Sequence, residues 1–197
     1  MRAVLLSVPE HALRERHAQG LDRLDEMWEG ELHMVPPPSF EHQSIETRLG
    51  TFLTFHCDRL GHGQVVAGAG LYDPEHLDRN YRTPDLSFVA AGNEGVIRRR
   101  GIVGAADTVI ELRSPDDETY EKFPFFARLR VREVVVIDSV NKRPEVYRLR
   151  GRRYVPVAPA EDGWLSAEVL RIRLRHETRR RRVRIEALDD PKKSVIL

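Results

Sequence analysis

The segment TVIEL, residues 108–112, constrains this chain most, because it sets a carboxylate in the middle of an apolar strand. Side chains alternate across a strand, so Val109, Glu111 and Arg113 share one face while Ile110 and Leu112 share the other. A carboxylate taken out of water is costly unless something pairs with it. Two partners present themselves: Arg113 on the same face, or a metal ion. Asp85 poses the same problem at the start of a second apolar strand, residues 86–90, directly after Pro84. Two carboxylates at the ends of neighbouring core strands suit a hard cation. Magnesium prefers such oxygen ligands and usually keeps several waters.

Around these strands the chain has neither repeat nor low-complexity linker. Residues 21–28 read as the end of a helix, closed by Gly30. Residues 31–35 alternate as a short strand, ended by Pro36, Pro37 and Pro38. Ser39 can cap a helix reaching about Leu60 on the apolar spacing Ile45, Leu49, Phe52 and Leu53. Residues 64–72 read as one strand, 73–82 as a polar loop, and 91–104 as a loop with room for one helical turn. Residues 118–130 read as a helix with Phe123, Phe126 and Leu129 on one side, provided Pro124 lies in its first turns. Residues 133–137 form a continuous apolar strand of the kind buried on both faces. Residues 143–148 and 154–157 pair as a hairpin around Arg150 and Gly151. The expected fold is a single α/β domain spanning 1–197, a mixed β-sheet flanked by helices with a C-terminal hairpin.

Composition narrows the class. With 197 residues, 41% hydrophobic and 32% charged, the chain can bury a core and is not of disordered type. No apolar run approaches the roughly 20 residues that span a bilayer, so no membrane partner is expected. The opening MRAVLLSVPE reads as the start of the fold rather than a signal peptide. A single cysteine, Cys57, forbids an intrachain disulfide and suits a reducing, cytoplasmic location. It sits in an apolar helical pattern, as a buried structural thiol would. The eight histidines contain no H-x-x-x-H pair, which with one cysteine argues against structural zinc. The net charge of +1 says little, but eight arginines crowd residues 171–184. A solvated strand edge and tail is the first reading of that stretch. Phosphate contacts from Arg179, Arg180, Arg181 and Arg182 are the second.

Lys122 lies in the first turns of the helix after Glu111, where its ammonium can swing over the two carboxylates. The bland alternative is an i, i+4 pair with Glu118, worth about 0.2–0.5 kcal/mol. Glu46, one turn on from His42, reads first as a residue of a solvated helix face and second as an additional carboxylate for the site.

The segments WEGELHMVPPPSFEHQSIETRL, RTPDLSFV and VIELRSPDDETYEKFPFFARLRVREVVVID, with the hairpin after them, resemble the Uma-type restriction-endonuclease family of the PD-(D/E)XK nuclease superfamily. The resemblance covers residues 25–150. The E-x-x-S-P element, followed by the lysine-bearing helix and the apolar strand ending at Asp138, carries more of it than the PD dipeptide. It implies a restriction-endonuclease-like fold with Asp85 and Glu111 as ligands of Mg²⁺ or Mn²⁺. It also implies that Lys122 stands in for the motif lysine, moved from strand to helix, and that His42 approaches the site. Arg113 occupies the simple motif's lysine position. An arginine stays charged and cannot act as a general base, though it can clamp a phosphate. Phe126 and Arg130 depart from the family's usual Tyr and Gly. The implied activity is metal-dependent cleavage of nucleic-acid phosphodiesters, with DNA as substrate and a homodimer as the working form. The alternative is a catalytically inactive nuclease fold that binds nucleic acid or a protein partner.

Overall fold

The computed structural model describes residues 3–5, 9–20, 22–115 and 117–197. The opening segment read as the start of the fold therefore lies partly outside the described residues. In chain order the first elements are β1 (Ala3–Leu5), α1 (Glu10–Ala18), β2 (Glu26–Trp28), β3 (Glu31–Met34) and α2 (Phe40–Leu53). There follow β4 (Gly63–Ala67), β5 (Leu71–Tyr72), β6 (Tyr81–Arg82), β7 (Leu86–Ala90), β8 (Ile97–Arg98) and β9 (Gly101–Val103). The middle holds β10 (Thr108–Arg113), α3 (Phe123–Leu129) and β11 (Glu133–Asp138). The chain continues through β12 (Pro144–Arg150), β13 (Arg153–Pro156), β14 (Leu165–Ala167), β15 (Ile172–Glu177), β16 (Arg182–Ala187) and β17 (Ser194–Ile196).

The central sheet runs β13-β12-β11-β10-β7-β4. Only β10 and β11 pair in parallel, because α3 crosses between them; the rest are antiparallel. Alternation along β10 feeds two cores. Ile110 and Leu112 pack with Ile45, Leu49 and Leu53 of α2 and with the C-terminal sheet, order β14-β15-β16-β17. Val109 packs with Phe125 and Phe126 of α3 and with Val134 and Val136 of β11. The apolar run of β11 is thus covered on both sides, as its lack of alternation requires. The remaining seven strands form a sheet of order β1-β3-β2-β6-β5-β9-β8.

Several local expectations are corrected. Residues 26–28 are strand, not helix. They form a hairpin with β3 through Glu29 and Gly30, both at positive φ (55° and 103°), the backbone that a two-residue hairpin turn demands. Residues 64–72 split into β4 and β5, which join different sheets. The loop expected at 73–82 ends in β6, and that at 91–104 carries the β8–β9 hairpin as well as its one helical turn. The helix at 118–130 shortens to α3, preceded by a tight 3₁₀ turn at Tyr120–Lys122. Pro124 in the first turn of α3 has no intrahelical donor to lose. Residues 171–184 are no tail: most lie in β15 and β16, with Arg173 bonded to Glu186 and Arg182 and Arg184 to Glu177. Cys57 is buried in a π-helical extension of α2, and burial pushes its thiol up to about 12, so it is an inert core atom.

Glu133 opens β11 fully buried, and burial pushes its carboxyl up to about 7 although the Glu168 N–H donates to it at 2.9 Å. The folded state therefore holds this proton more tightly than the unfolded chain does. Its stabilising contribution is complete below the ordinary value of 4.5 and is lost as pH rises to about 7. Glu133→Gln keeps the acceptor and removes the titration. The variant should gain on the parent by on the order of 3 kcal/mol between those limits in urea unfolding. A difference that stays constant across pH rules this account out.

Candidate active site

In the antiparallel pairing of β7 with β10, Leu86 lies opposite Ile110. One residue further, the same register sets Asp85 opposite Glu111 on one side of the sheet. The ladder ends there, and the Asp85 side chain takes over: its Oδ2 accepts the Leu112 N–H at 2.6 Å. Its Oδ1 lies 3.0 Å from His42 Nε2, and His42 Nδ1 is 3.4 Å from Ser114 Oγ. The first turn of α2 delivers His42, because Ser39 caps that helix by accepting the His42 N–H at 3.2 Å. Glu46, one turn on, reaches the same place. One ligand atom from each of His42, Glu46 and Asp85 fits within a cluster no wider than 4.8 Å. Asp85 raises the Glu46 carboxyl, after burial as the larger cause, and it raises His42 against the opposing effect of burial. The solvated face expected for Glu46 is therefore a wall of the site.

Beside this cluster lies a buried ion network. Lys122 Nζ is 2.9 Å from Glu26 Oε1 and 3.1 Å from Glu111 Oε2, with all three residues at most 6% exposed. Burial works against the ammonium, but Glu111, Glu26 and Asp85 outweigh it and raise Lys122, which stays charged. Glu111 is raised by burial first, then by Asp85 and Glu26, with Lys122 opposing. Glu26 Oε1 also accepts the Thr83 N–H at 2.9 Å, and Oε2 accepts Trp28 Nε1 at 2.8 Å. Sequence reasoning missed Glu26 because it placed residues 21–28 in a helix. The signal was there: alternation on both sides of Glu29-Gly30 marks a hairpin.

Asp85, Glu111, Lys122, His42, Glu46 and Glu26 all line one cavity of about 480 Å³. Arg113 does not. Its guanidinium reaches Asp138 at 2.5 Å rather than Glu111, so the carboxylate partner expected from the shared strand face is taken by Lys122. Glu118, the bland partner for Lys122, bonds His33 at 2.9 Å instead. Arg179, Arg180 and Arg181 sit exposed at the β15–β16 turn, and Arg182 is half-buried against Glu177; none lines this cavity. No helix among the described residues is long and apolar enough to cross a membrane.

A family profile described as "Putative restriction endonuclease", Uma2, matches residues 15–177, well over half of the sequence. The chain belongs to the Uma2 family. The match is wider than the 25–150 of the motif resemblance and takes in the C-terminal strands β14 and β15. A solved structure, of "a putative nuclease belonging to DUF820" from Anabaena variabilis ATCC 29413, shares the fold with a TM-score of 0.57 at 16% identity. The alignment covers 74% of this Uma2 chain and 82% of that one. No curated protein matches the chain. The restriction-endonuclease-like mixed α/β architecture expected from the sequence is thus the one observed.

Proposed function

We propose that this Uma2 protein is a divalent-metal-dependent endonuclease acting on DNA. The single observation that carries the reading is the cavity in which Asp85 and Glu111 meet a buried lysine and the His42–Glu46 pair. The donor set fits a divalent ion. The carboxylates of Asp85, Glu111 and Glu46 suit Mn²⁺ or Mg²⁺, and the Asp85 charge that adds to burial in raising Glu46 is what a cation would relieve. Asp85 would be the central ligand, with Glu111 on the sheet side and Glu46 on the α2 side, while His42 keeps its bond to Asp85 Oδ1. An ion held there would supply Lewis-acid polarisation of a phosphoryl oxygen and a more acidic bound water.

The protein's own groups do the rest. Lys122, held charged by its carboxylates, sets a fixed positive potential at the cavity floor where phosphate charge develops. His42, bridged between Asp85 and Ser114, is held in one orientation and can hold a proton near the reacting oxygens. Arg113, turned to Asp138, braces the end of β10 against β11 and is assigned no contact with the scissile phosphate. A two-fold dimer in the cytoplasm, cutting both strands, is the working form we infer, on analogy with nucleases of this fold.

One observation favours the alternative of a nuclease fold that binds without cutting: Glu111 is 4% exposed and both its oxygens face Lys122. Supercoiled plasmid with 5 mM-scale Mn²⁺ or Mg²⁺ separates the two readings. Nicked and linear products that vanish with EDTA are expected. Intact plasmid with both metals, alongside salt-sensitive binding, selects the alternative.

A further inference from the structure

A second cavity, of about 670 Å³, adjoins the first: Arg23, Gly68 and Thr83 line both. Gly68 lies between them, at a φ of 58°, and a Cβ placed on it would meet nothing within 4 Å. Gly68 therefore adds no side chain to the boundary between the cavities, where Arg23 and Thr83 stand beside it. Beyond it stands the β8–β9 hairpin, which carries Arg98 at the end of β8 and Arg99 and Arg100 in its turn, all exposed and all lining the cavity. The hairpin is firmly seated. The Ile102 N–H donates to the Gly70 carbonyl at 2.9 Å, and Gly101, at φ 140°, leaves no room for a side chain, since a Cβ would meet that carbonyl oxygen at 2.4 Å. Any side chain at position 101 would push the arginine turn off its support.

The charges along this cavity are unevenly satisfied. Its three acidic residues are already engaged: Asp25 with Arg16 at 2.8 and 2.9 Å, Asp22 with His17 at 2.8 Å, and Asp58 with the Val65 N–H at 3.1 Å. Arg100 pairs with Asp78 at 2.6 Å and lies over the Tyr72 ring at 4.7 Å. Arg98 and Arg99 have no carboxylate partner among the described residues. Tyr72 and Tyr81, ring centroids 5.1 Å apart, supply aromatic surface to the same wall. An exposed basic turn and aromatic rings beside a cavity that adjoins the first are features that suit a chain of phosphates and bases.

Resting on the reading of the first cavity as the cutting site, we propose that the second cavity holds the nucleic-acid strand that runs from the scissile phosphate, with Arg98 and Arg99 on its phosphates. Each phosphate neutralised on binding releases condensed counterions and contributes a slope of about 1 to the fall of log affinity with log salt. The experiment is fluorescence anisotropy of a labelled 20-mer oligonucleotide with the full chain in EDTA, titrated at several salt concentrations. Arg98→Gln/Arg99→Gln should lower the salt slope by about 2 and weaken binding about tenfold near 0.1 M salt. Arg152→Gln/Arg153→Gln removes the same charge at the β12–β13 turn and should keep the parental slope. Equal slopes for the two double variants, or no binding by the parent, overturn the proposal. So does competition by polyglutamate as strong as that by unlabelled oligonucleotide, which would identify an acidic protein segment as the occupant. Because binding is read without metal, the two readings fail separately. A parent that cuts plasmid while the arginine variant keeps its slope loses only the strand-holding role of the second cavity, and one that shows the slope change but never cuts loses only the nuclease.

Discussion

Asp85→Asn is expected to fold normally and to cleave plasmid at least a hundredfold more slowly than the parent in Mn²⁺. The asparagine retains a carbonyl oxygen for the Leu112 N–H, now accepted at 2.6 Å by Oδ2, so the end of the β7–β10 ladder keeps its closure. What disappears is the negative charge common to both sides of the proposed metal site, next to Glu111 in strand register and within the His42–Glu46 cluster. A Lewis-acid or charge-stabilising contribution of about 3 kcal/mol corresponds to about a hundredfold in rate. A second readout does not depend on catalysis. Mn²⁺ at about 100 times its dissociation constant should stabilise the parent by about 2.7 kcal/mol through binding alone. In a thermal melt this upward shift is expected for the parent and absent from Asp85→Asn. Cleavage at the parental rate by a folded Asp85→Asn protein would remove the metal site from this cavity.

Lys122→Met is expected to be the most destabilising single change near the site, at about 3–5 kcal/mol. The methionine roughly fills the volume but leaves Glu26 and Glu111, each at most 4% exposed, facing one another and Asp85 without a cation. The ion network is not expected to be a net source of stability, since removing three charges from water is itself expensive. The triple variant Glu26→Gln/Glu111→Gln/Lys122→Met should therefore regain most of the loss while remaining inactive. Urea unfolding of the single and triple variants tests this directly. A single variant within about 1 kcal/mol of the parent would mean that water or rearrangement solvates the carboxylates, and that the cluster is looser than its 2.9 and 3.1 Å contacts imply. In the proposed nuclease this arrangement would serve as preorganisation, with Lys122 fixed by its two carboxylates before any phosphate arrives.

The elements with strong periodic signals were legible from the residues. The apolar spacing of Ile45, Leu49 and Leu53 places a helix where α2 stands, and Ser39 caps it as its hydroxyl chemistry predicts. The uninterrupted run of β11 announces a strand covered on both faces. Short elements were not legible. β5, β6 and β8 have two residues each, too few to express a period, and exist because neighbouring strands accept their hydrogen bonds. The split of residues 64–72 between two sheets hinges on the Gly68–Gly70 break, which local propensity reads only as a weak strand.

Of the site, the residues themselves determined that Asp85 and Glu111 need compensation, because each is a charge set into an apolar strand. They also determined that the two can share a face, because strand alternation has a fixed period. Which group compensates them was decided by the tertiary fold. Arg113 shares the Glu111 face, yet parallel pairing brings Asp138 level with it and draws the guanidinium away. Lys122 takes its place only because the 3₁₀ turn before α3 aims it inward, and Glu26 joins from a different sheet, 85 residues earlier than Glu111 in the chain. Glu46 reads as a surface residue by its helix position and becomes part of the cavity through the docking of the first turns of α2 on Asp85. Alternation and helical spacing specify which face a side chain leaves from. What it meets there depends on long-range pairing, which no local pattern encodes.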